Sequence, residues 1–272
     1  MIWSLPADNP LPGGDVRPES KIKVNVRHTL IGGQTVAVCL PLVAGQRSVL
    51  LDQARHSARM KPDLLEWRID HYDGVDDAAE CLALLEALRT AIGDIPLIFT
   101  CRIHSEGGAR QLPQHHRQKL IEGAIRSGHA DIVDIEMRNA PDFIEAVKDA
   151  CRTAGTPLML SYHDFKETRT EGFIRDTLAQ AWHLGADIAK MAVMPRGYED
   201  VLTLMKATLR ARRQAVDIPI VTMSMGAMGA ITRIAGGLFG SDITFAMGED
   251  ASAPGQIPIQ RLRQAMEAVY NG

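Results

Sequence analysis

Ala186-Asp187-Ile188-Ala189-Lys190-Met191-Ala192-Val193 is a short, small-residue, β-prone run that follows a helical segment and Gly185. A lysine stands in its middle. An ammonium inside a buried strand costs several kcal/mol or has its pKa driven down. That builds a core poorly, and it makes an amine nucleophilic near neutral pH. These residues alone leave a second reading open, in which the lysine snorkels off a strand end or pairs with a core carboxylate.

Outward from this run, the same unit of short apolar strand, polar loop and amphipathic helix repeats along the chain. Strands are expected over Val36–Leu42, Leu64–Ile69, Pro96–Cys101, Ile132–Ile135, Leu158–Ser161, Ile188–Ala192, Ile218–Met223 and Ile243–Phe245. Helical periodicity fills the gaps, from Ser48–Met60 through a Gly-rich stretch around Met228–Gly237 to Gln260–Tyr270. Strands alternating with helices over 272 residues predict an α/β fold, a single (β/α)8 TIM barrel. A doubly wound open sheet is the runner-up, disfavoured because no GxGxxG follows the first strand. Before the barrel, Lys23–Leu30 alternates polar and apolar residues, meets Gly32-Gly33 and runs into Thr35–Leu40, a hairpin signal turning on the glycine pair. Residues 1–22, rich in Pro, Gly and charge, read as a flexible N-terminal arm, and residues 23–272 as one catalytic domain.

Bulk composition excludes several function classes. The chain is 46% hydrophobic and 23% charged, which does not suggest disorder over most of its length. A net charge of −3 offers no electrostatic footprint for nucleic acid or an anionic membrane. Cys39, Cys81, Cys101 and Cys151 form no CxxC pair and read as reduced thiols. No secretory pattern survives Pro6, Asp8, Pro10 and Pro12, and the Met223–Met247 run is cut by Arg233 and Asp242. A soluble, cytoplasmic protein is expected.

In a barrel of this type, chemistry collects at the C-terminal ends of the strands. Period-2 alternation sends Glu66, Arg68 and Asp70 to one face of the second strand, and Asp134 and Glu136 to one face of the fourth. Charges on a buried face require mutual pairing or a ligand. The same rim receives Arg102 and Glu106 after the third strand, His163 and Asp164 after the fifth, Lys190 on the sixth, and Arg233 beyond the seventh. Each alone has a structural explanation: a satisfied histidine, an internal ion-pair layer, glycines allowing close packing. Together the types fit one another. A lysine amine condenses with a ketone, and the iminium acidifies the neighbouring C–H. A histidine moves the proton, and arginines hold a carboxylate. The constellation suggests lyase chemistry on a small polyhydroxylated keto acid.

Glu66-Trp-Arg-Ile-Asp70, Thr100-Cys-Arg102 with Glu106-Gly-Gly, Ser161-Tyr-His-Asp-Phe165 and Ala189-Lys-Met-Ala-Val-Met-Pro195 follow in that order. Met223-Ser-Met-Gly226, Thr232-Arg-Ile-Ala-Gly236 and Ser252-Ala-Pro-Gly-Gln256 complete the set. With these motifs the sequence, over roughly residues 24–270, resembles the type I 3-dehydroquinate dehydratase family, the Schiff-base-forming enzymes of the shikimate pathway. The resemblance implies a cofactor-free, metal-free dehydration of 3-dehydroquinate to 3-dehydroshikimate by a homodimer. It implies that Lys190 forms the iminium with the C3 ketone, and that His163 takes the C2 proton and protonates the departing C1 hydroxyl. Glu106 assists around the imine and Asp164 supports its neighbours. Glu66, Arg68 and Arg102 bind ring hydroxyls, whereas Arg233, Ser252 and Gln256 grip the carboxylate, and Met223 and Met225 wall the ring. Thr232 stands where the family commonly has serine, which keeps the hydroxyl. The arm of residues 1–22 is longer than a compact member needs.

Three other readings compete. A metal enzyme would use His104, His115 and His116, but these lie in or near one loop and its helix, with no HExxH or CxxC pattern. A class I aldolase-type lyase also uses a strand-six lysine, on another small keto acid, and product analysis separates it. A non-enzymatic barrel would bind a ligand without forming an imine.

Overall fold

The computed structural model describes residues 17–248 and 253–270. An antiparallel pair, β1 (Val24–Val26) and β2 (Thr29–Ile31), precedes eight parallel strands. These are β3 (Ala37–Leu42), β4 (Leu64–Arg68), β5 (Leu97–Thr100), β6 (Ile132–Glu136), β7 (Leu158–Asp164), β8 (Ile188–Val193), β9 (Ile220–Ser224) and β10 (Ile243–Phe245). Helices alternate with them: α1 (Arg47–Arg59), α2 (Ala78–Ile92), α3 (Gln114–Ser127), α4 (Pro141–Ala154), α5 (Glu171–His183), α6 (Tyr198–Gln214), α7 (Ala230–Ala235) and α8 (Ile259–Tyr270). Their ends carry recognisable signals. Asp77 accepts from the Ala79 and Glu80 amides at 2.9 and 3.1 Å to start α2, and α3 stops at Gly128, whose φ of 68° suits a residue without Cβ.

Sheet order runs β10-β3-β4-β5-β6-β7-β8-β9, so the (β/α)8 barrel forms as expected. The β9–β10 seam is closed largely by side chains. Ser241 Oγ accepts from the Thr222 amide at 3.1 Å, and the Asp242 carboxylate accepts from the Ile220 amide at 2.8 Å. Arg17 and Arg212 both pair with buried Asp242. Of the arm read over residues 1–22, the described part, residues 17–22, is tied to the barrel, while residues 1–16 lie outside the described residues. Besides Arg17, the Ser20 and Ile22 amides donate at 2.9 Å to the Gly32 and Asp217 carbonyls.

The hairpin turn also differs from expectation. It falls at Arg27-His28, with Arg27 at φ 51°, and pairs Val26 with Thr29. Gly32-Gly33 instead leads out of the hairpin, and Ala37–Leu42 becomes a barrel strand. A glycine pair permits a turn without dictating which flanking run pairs with which.

Barrel interior and exterior separate by the two-residue period of a strand. Leu65, Trp67, Phe99, Val133, Ile135, Leu160, Ala189 and Met191 belong to the outer core shared with Leu84, Leu88, Leu120, Val147 and Leu204 of the helices. Facing inward, each barrel strand gives one residue to a floor: Cys39, Leu64, Ile98, Ile132, Met159, Ile188, Val221 and Ile243. Val24, Val26 and Ile31 of the hairpin pack in the same cluster. Leu64, Ile98, Ile132 and Ile188 are fully buried, each contributing about 1.5–3 kcal/mol of transfer free energy. One step of two residues up the strands, the inward positions become Glu66, Thr100, Asp134, Ser161, Lys190, Met223 and Phe245. The apolar floor supports a charged storey.

Candidate active site

A cavity at the C-terminal mouth of the barrel encloses about 600 Å³ of empty space including its opening. Glu66, Arg68, Arg102, Glu106, His163, Lys190, Met223, Met225, Arg233 and Gln256 line it, together with Gly107, Phe165, Ala192, Phe245 and Ala253. Residues from strands far apart in sequence thus converge because their inward positions occupy the same upper storeys. Ser252 lies outside the described residues. Asp164 is expected to support the site but is not among the lining residues. Its carboxylate accepts from the Lys166 and Glu167 amides at 2.9 and 3.1 Å and faces Arg169 Nε at 3.6 Å. It shapes the loop that carries Phe165. Phe165 in turn covers Gly107, whose φ is 86° and where a Cβ would meet the ring at 2.5 Å.

Lys190 is 5% exposed, yet its ammonium is well partnered. Nζ donates to Asp134 Oδ2 at 2.8 Å, stands 3.4 Å from Glu66 Oε1, and lies 4.4 Å from the centre of the Phe245 ring. Asp134 also receives Arg102 through Oδ1 at 3.2 Å and Oδ2 at 2.8 Å, and Ser161 Oγ at 2.5 Å. Burial alone would raise the Asp134 pKa. Arg102 and then Lys190 overcome that and hold it well below the usual carboxylate range. The sequence marks Asp134 as an inward charge in need of a partner without naming Lys190, and it does not single out Phe245 for the site. The alternation with Ile132 already turned Asp134 inward, but nothing local tied it to Lys190.

Arg102 lines the cavity while spending most of its charge behind it. Nη1 also donates to Glu136 Oε1 and Ser161 Oγ, both at 2.7 Å. Glu136 is held from the other side by Arg117 of α3 at 2.9 Å. Arg68 forms a bidentate pair with Asp70, both bonds at 2.8 Å, and Asp70 takes the Ala109 amide at 2.9 Å. The inward carboxylates and arginines thus largely neutralise one another, as a buried charge layer must.

His163 and Glu106 form a second group. Glu106 Oε2 accepts from the His163 amide at 2.7 Å and sits 3.1 Å from His163 Nδ1. A carboxylate there selects the Nδ1–H tautomer and leaves Nε2 with its lone pair. Burial, then the Arg102 and Lys190 charges, drives the His163 pKa well below the ordinary imidazole value, against the pull of Asp134. Burial and Glu136 push the Glu106 carboxyl up to about 7, although Arg102, the His163 amide and Arg138 oppose them.

Arg233 is a different kind of arginine. It is 2% exposed, and its bonds go to the Phe245 carbonyl at 3.1 Å, the Pro254 carbonyl at 3.2 Å and Met223 Sδ at 3.7 Å. Among the described residues no carboxylate pairs with it, and Nε has no acceptor. Burial lowers its pKa to about 10. A desolvated cation with no carboxylate partner among the described residues is ready for an anionic ligand.

Among the described residues no three His, Cys, Asp or Glu side chains are grouped as a metal ion needs. His104 and His116 bond to the carbonyls of Gly108 at 2.9 Å and Val75 at 2.7 Å, and His115 is exposed.

Residues 38–272 match the family described as Type I 3-dehydroquinase. The 3-dehydroquinate dehydratase of Geobacillus thermodenitrificans is 42% identical over 252 residues, covering 92% of this chain and 97% of that protein. The crystal structure of 3-dehydroquinate dehydratase from Geobacillus kaustophilus superposes with a TM-score of 0.90 at 40% identity, covering 95% of this chain and 99% of that one. The Type I 3-dehydroquinate dehydratase of Clostridium difficile, solved with covalently modified comenic acid, superposes with a TM-score of 0.88 at 33% identity, covering 92% and 98%.

Proposed function

The chain belongs to the type I 3-dehydroquinase family, hydro-lyases that dehydrate 3-dehydroquinate in the shikimate pathway, and on that premise we propose that it works through an imine on Lys190 with His163 as proton carrier. The observation that carries this reading is one cavity shared by a buried amine and a neutral imidazole. Attack requires the unprotonated amine. Asp134, held ionised by Arg102, is a poor acceptor for that proton, whereas neutral His163 lines the same space.

Lys190 Nζ adds to the C3 ketone and the carbinolamine loses water, leaving an iminium. His163 Nε2 then takes the C2 proton, and the electron pair is delocalised toward the iminium nitrogen as an enamine. Expulsion of the C1 hydroxyl, protonated by the same imidazole, gives a conjugated iminium and water. A water molecule hydrolyses the iminium, releasing 3-dehydroshikimate and restoring the amine. The net change is loss of one water. Glu106 keeps the imidazole oriented through both proton transfers.

Substrate binding follows from the charges. Arg233, with Gln256 and Ser252, takes the C1 carboxylate. Glu66, Arg68 and Arg102 address the ring hydroxyls, and Met223 and Met225 wall the ring. The homodimer implied by the resemblance and the cytoplasmic location expected from the composition remain part of the proposal, and sedimentation velocity tests the former. Among the described residues no helix is long and apolar enough to cross a membrane.

The deciding experiment is borohydride reduction in the presence of 3-dehydroquinate, followed by peptide mass spectrometry. A ligand-sized adduct on the peptide containing Lys190, lost together with turnover in Lys190→Ala, is expected. An adduct elsewhere, or an active alanine variant, would overturn the assignment. An aldolase-type cleavage would release carbon fragments in place of 3-dehydroshikimate.

A further inference from the structure

Glu106 presents its two oxygens to different surroundings. Oε2 is occupied by the amide and ring of His163. Oε1 is buried and accepts no hydrogen bond among the described residues. Arg138, in the loop after β6, places Nε 3.5 Å from that oxygen. Its guanidinium does not hang free. It lies over the Tyr162 ring at 4.6 Å and donates from Nη2 to the Tyr162 hydroxyl at 2.8 Å. Tyr162 is the residue immediately before His163 on β7, and Phe173 packs edge-on against its ring at 5.7 Å. The arginine is thus seated on one neighbour of the catalytic histidine and aimed at the other.

We propose that Arg138 is a positioning residue that biases Glu106 toward its carboxylate form and thereby biases His163 toward its Nδ1–H tautomer. The inference rests on the reading of His163 as the proton carrier, and it assigns a cause to the state of the group behind it. Charged groups approach Glu106 from several elements. Glu136 on β6 disfavours its ionisation, as burial does, while Arg102 after β5, the His163 amide on β7 and Arg138 favour it. Arg102 is already committed to Asp134 and Glu136, so its charge is shared among carboxylates. Glu106 sits near the balance point, with a carboxyl at about 7, where a modest contribution decides its protonation state. Arg138 is itself half-exposed, its side chain 43% accessible. Its effect is accordingly modest and sensitive to salt.

When Glu106 is ionised, its oxygen can only accept, so the imidazole proton must sit on Nδ1 and Nε2 is basic. When Glu106 is neutral, its own hydroxyl can donate to Nδ1, which moves the ring proton to Nε2 and removes the base. Arg138 therefore acts two contacts away from the substrate, through protonation rather than touch.

The test is a carboxyl carbon NMR titration of the ligand-free full chain labelled at glutamate, with Glu106 assigned from the Glu106→Gln spectrum. In Arg138→Gln the Glu106 midpoint should rise by about half a pKa unit, the scale of a half-exposed ion pair. Arg138→Lys should recover part of that shift. Tyr162→Phe, which removes only the hydroxyl that anchors the guanidinium, should move the midpoint the same way by less, and serves if Arg138→Gln fails to fold. Ring nitrogen shifts of His163 should report more Nε2–H tautomer in Arg138→Gln at pH 7. A Glu106 midpoint unmoved in both Arg138→Gln and Tyr162→Phe overturns the proposal. No substrate is present in these measurements, so failure of the imine mechanism leaves them interpretable. Conversely, an unmoved midpoint in an enzyme that still forms the Lys190 adduct removes Arg138 alone.

Discussion

Lys190 Nζ and Asp134 Oδ2 stand 2.8 Å apart inside the barrel, and the same carboxylate is clamped by Arg102. The lysine is therefore one member of a buried charge network. Removing one partner from such a network leaves uncompensated charge. Asp134→Asn should cost about 3 kcal/mol of stability or more in denaturant unfolding. Glu66→Gln should cost less, because its oxygen is 3.4 Å from Nζ and Thr100 also holds it. Equal losses for the two variants would mean that Asp134 is not the anchor.

His163→Ala retains the amine and should still accumulate some reducible adduct with substrate or product. Its dehydration rate should fall by about 10²–10⁴-fold, the range for a lost general acid–base group. In the wild type, burial and the Arg102 and Lys190 charges disfavour the imidazolium. The acid limb of kcat/KM should consequently lie below the ordinary imidazole value near 6.5 and vanish in the variant. Intact-protein mass after borohydride, alongside product formation, reads both effects. Normal turnover in His163→Ala would remove the histidine from its role.

Arg233 is buried with no carboxylate partner among the described residues, so it should weaken the ligand-free fold while strengthening substrate binding. Arg233→Met should lower kcat/KM by about 2–4 kcal/mol in transition-state terms. The same substitution should leave Tm unchanged or raise it, since a buried charge is replaced by an apolar chain. A variant that is both active and less stable would contradict the assignment.

Glu106 links stability to pH. Its folded carboxyl lies at about 7, against 4.5 for the ordinary group. The folded state therefore holds a proton that the unfolded chain releases first. The associated stability is full below pH 4.5 and is lost as pH rises toward 7, by up to about 3 kcal/mol. Unfolding by urea across pH 4–8 should show this term in the wild type and not in Glu106→Gln. Depressed His163 runs oppositely, losing stability as pH falls below 6.5. The comparison is therefore made between the two proteins at each pH. Parallel pH curves would show that Glu106 titrates normally.

Much of this protein is decided along the chain. The two-residue period of Leu64–Glu66–Arg68, Ile132–Asp134–Glu136 and Ile188–Lys190–Ala192 sorts each strand into an outer apolar face and an inner face that turns polar toward its C-terminal end. Helical repeats between them force parallel strands, and a parallel sheet of eight such units closes into a barrel. Both facts depend on neighbours a few residues apart, which is why they are legible in order.

What meets across the barrel is decided elsewhere. Sequence alternation turns Asp134 inward but cannot say that it faces Lys190, because that contact depends on strand tilt and stagger summed around the sheet. Asp164 shows the converse. It adjoins His163 in sequence, yet its carboxylate turns to two loop amides, whose unpaired donors are the nearer demand. The hairpin turn at Arg27-His28 prevails over Gly32-Gly33 because pairing there lets Val24, Val26 and Ile31 join the barrel floor. Arg138 reaches Glu106 only because β5 and β6 lie side by side. Local periodicity assigns a residue to a face, whereas the partner across that face is chosen by the closure of the whole sheet.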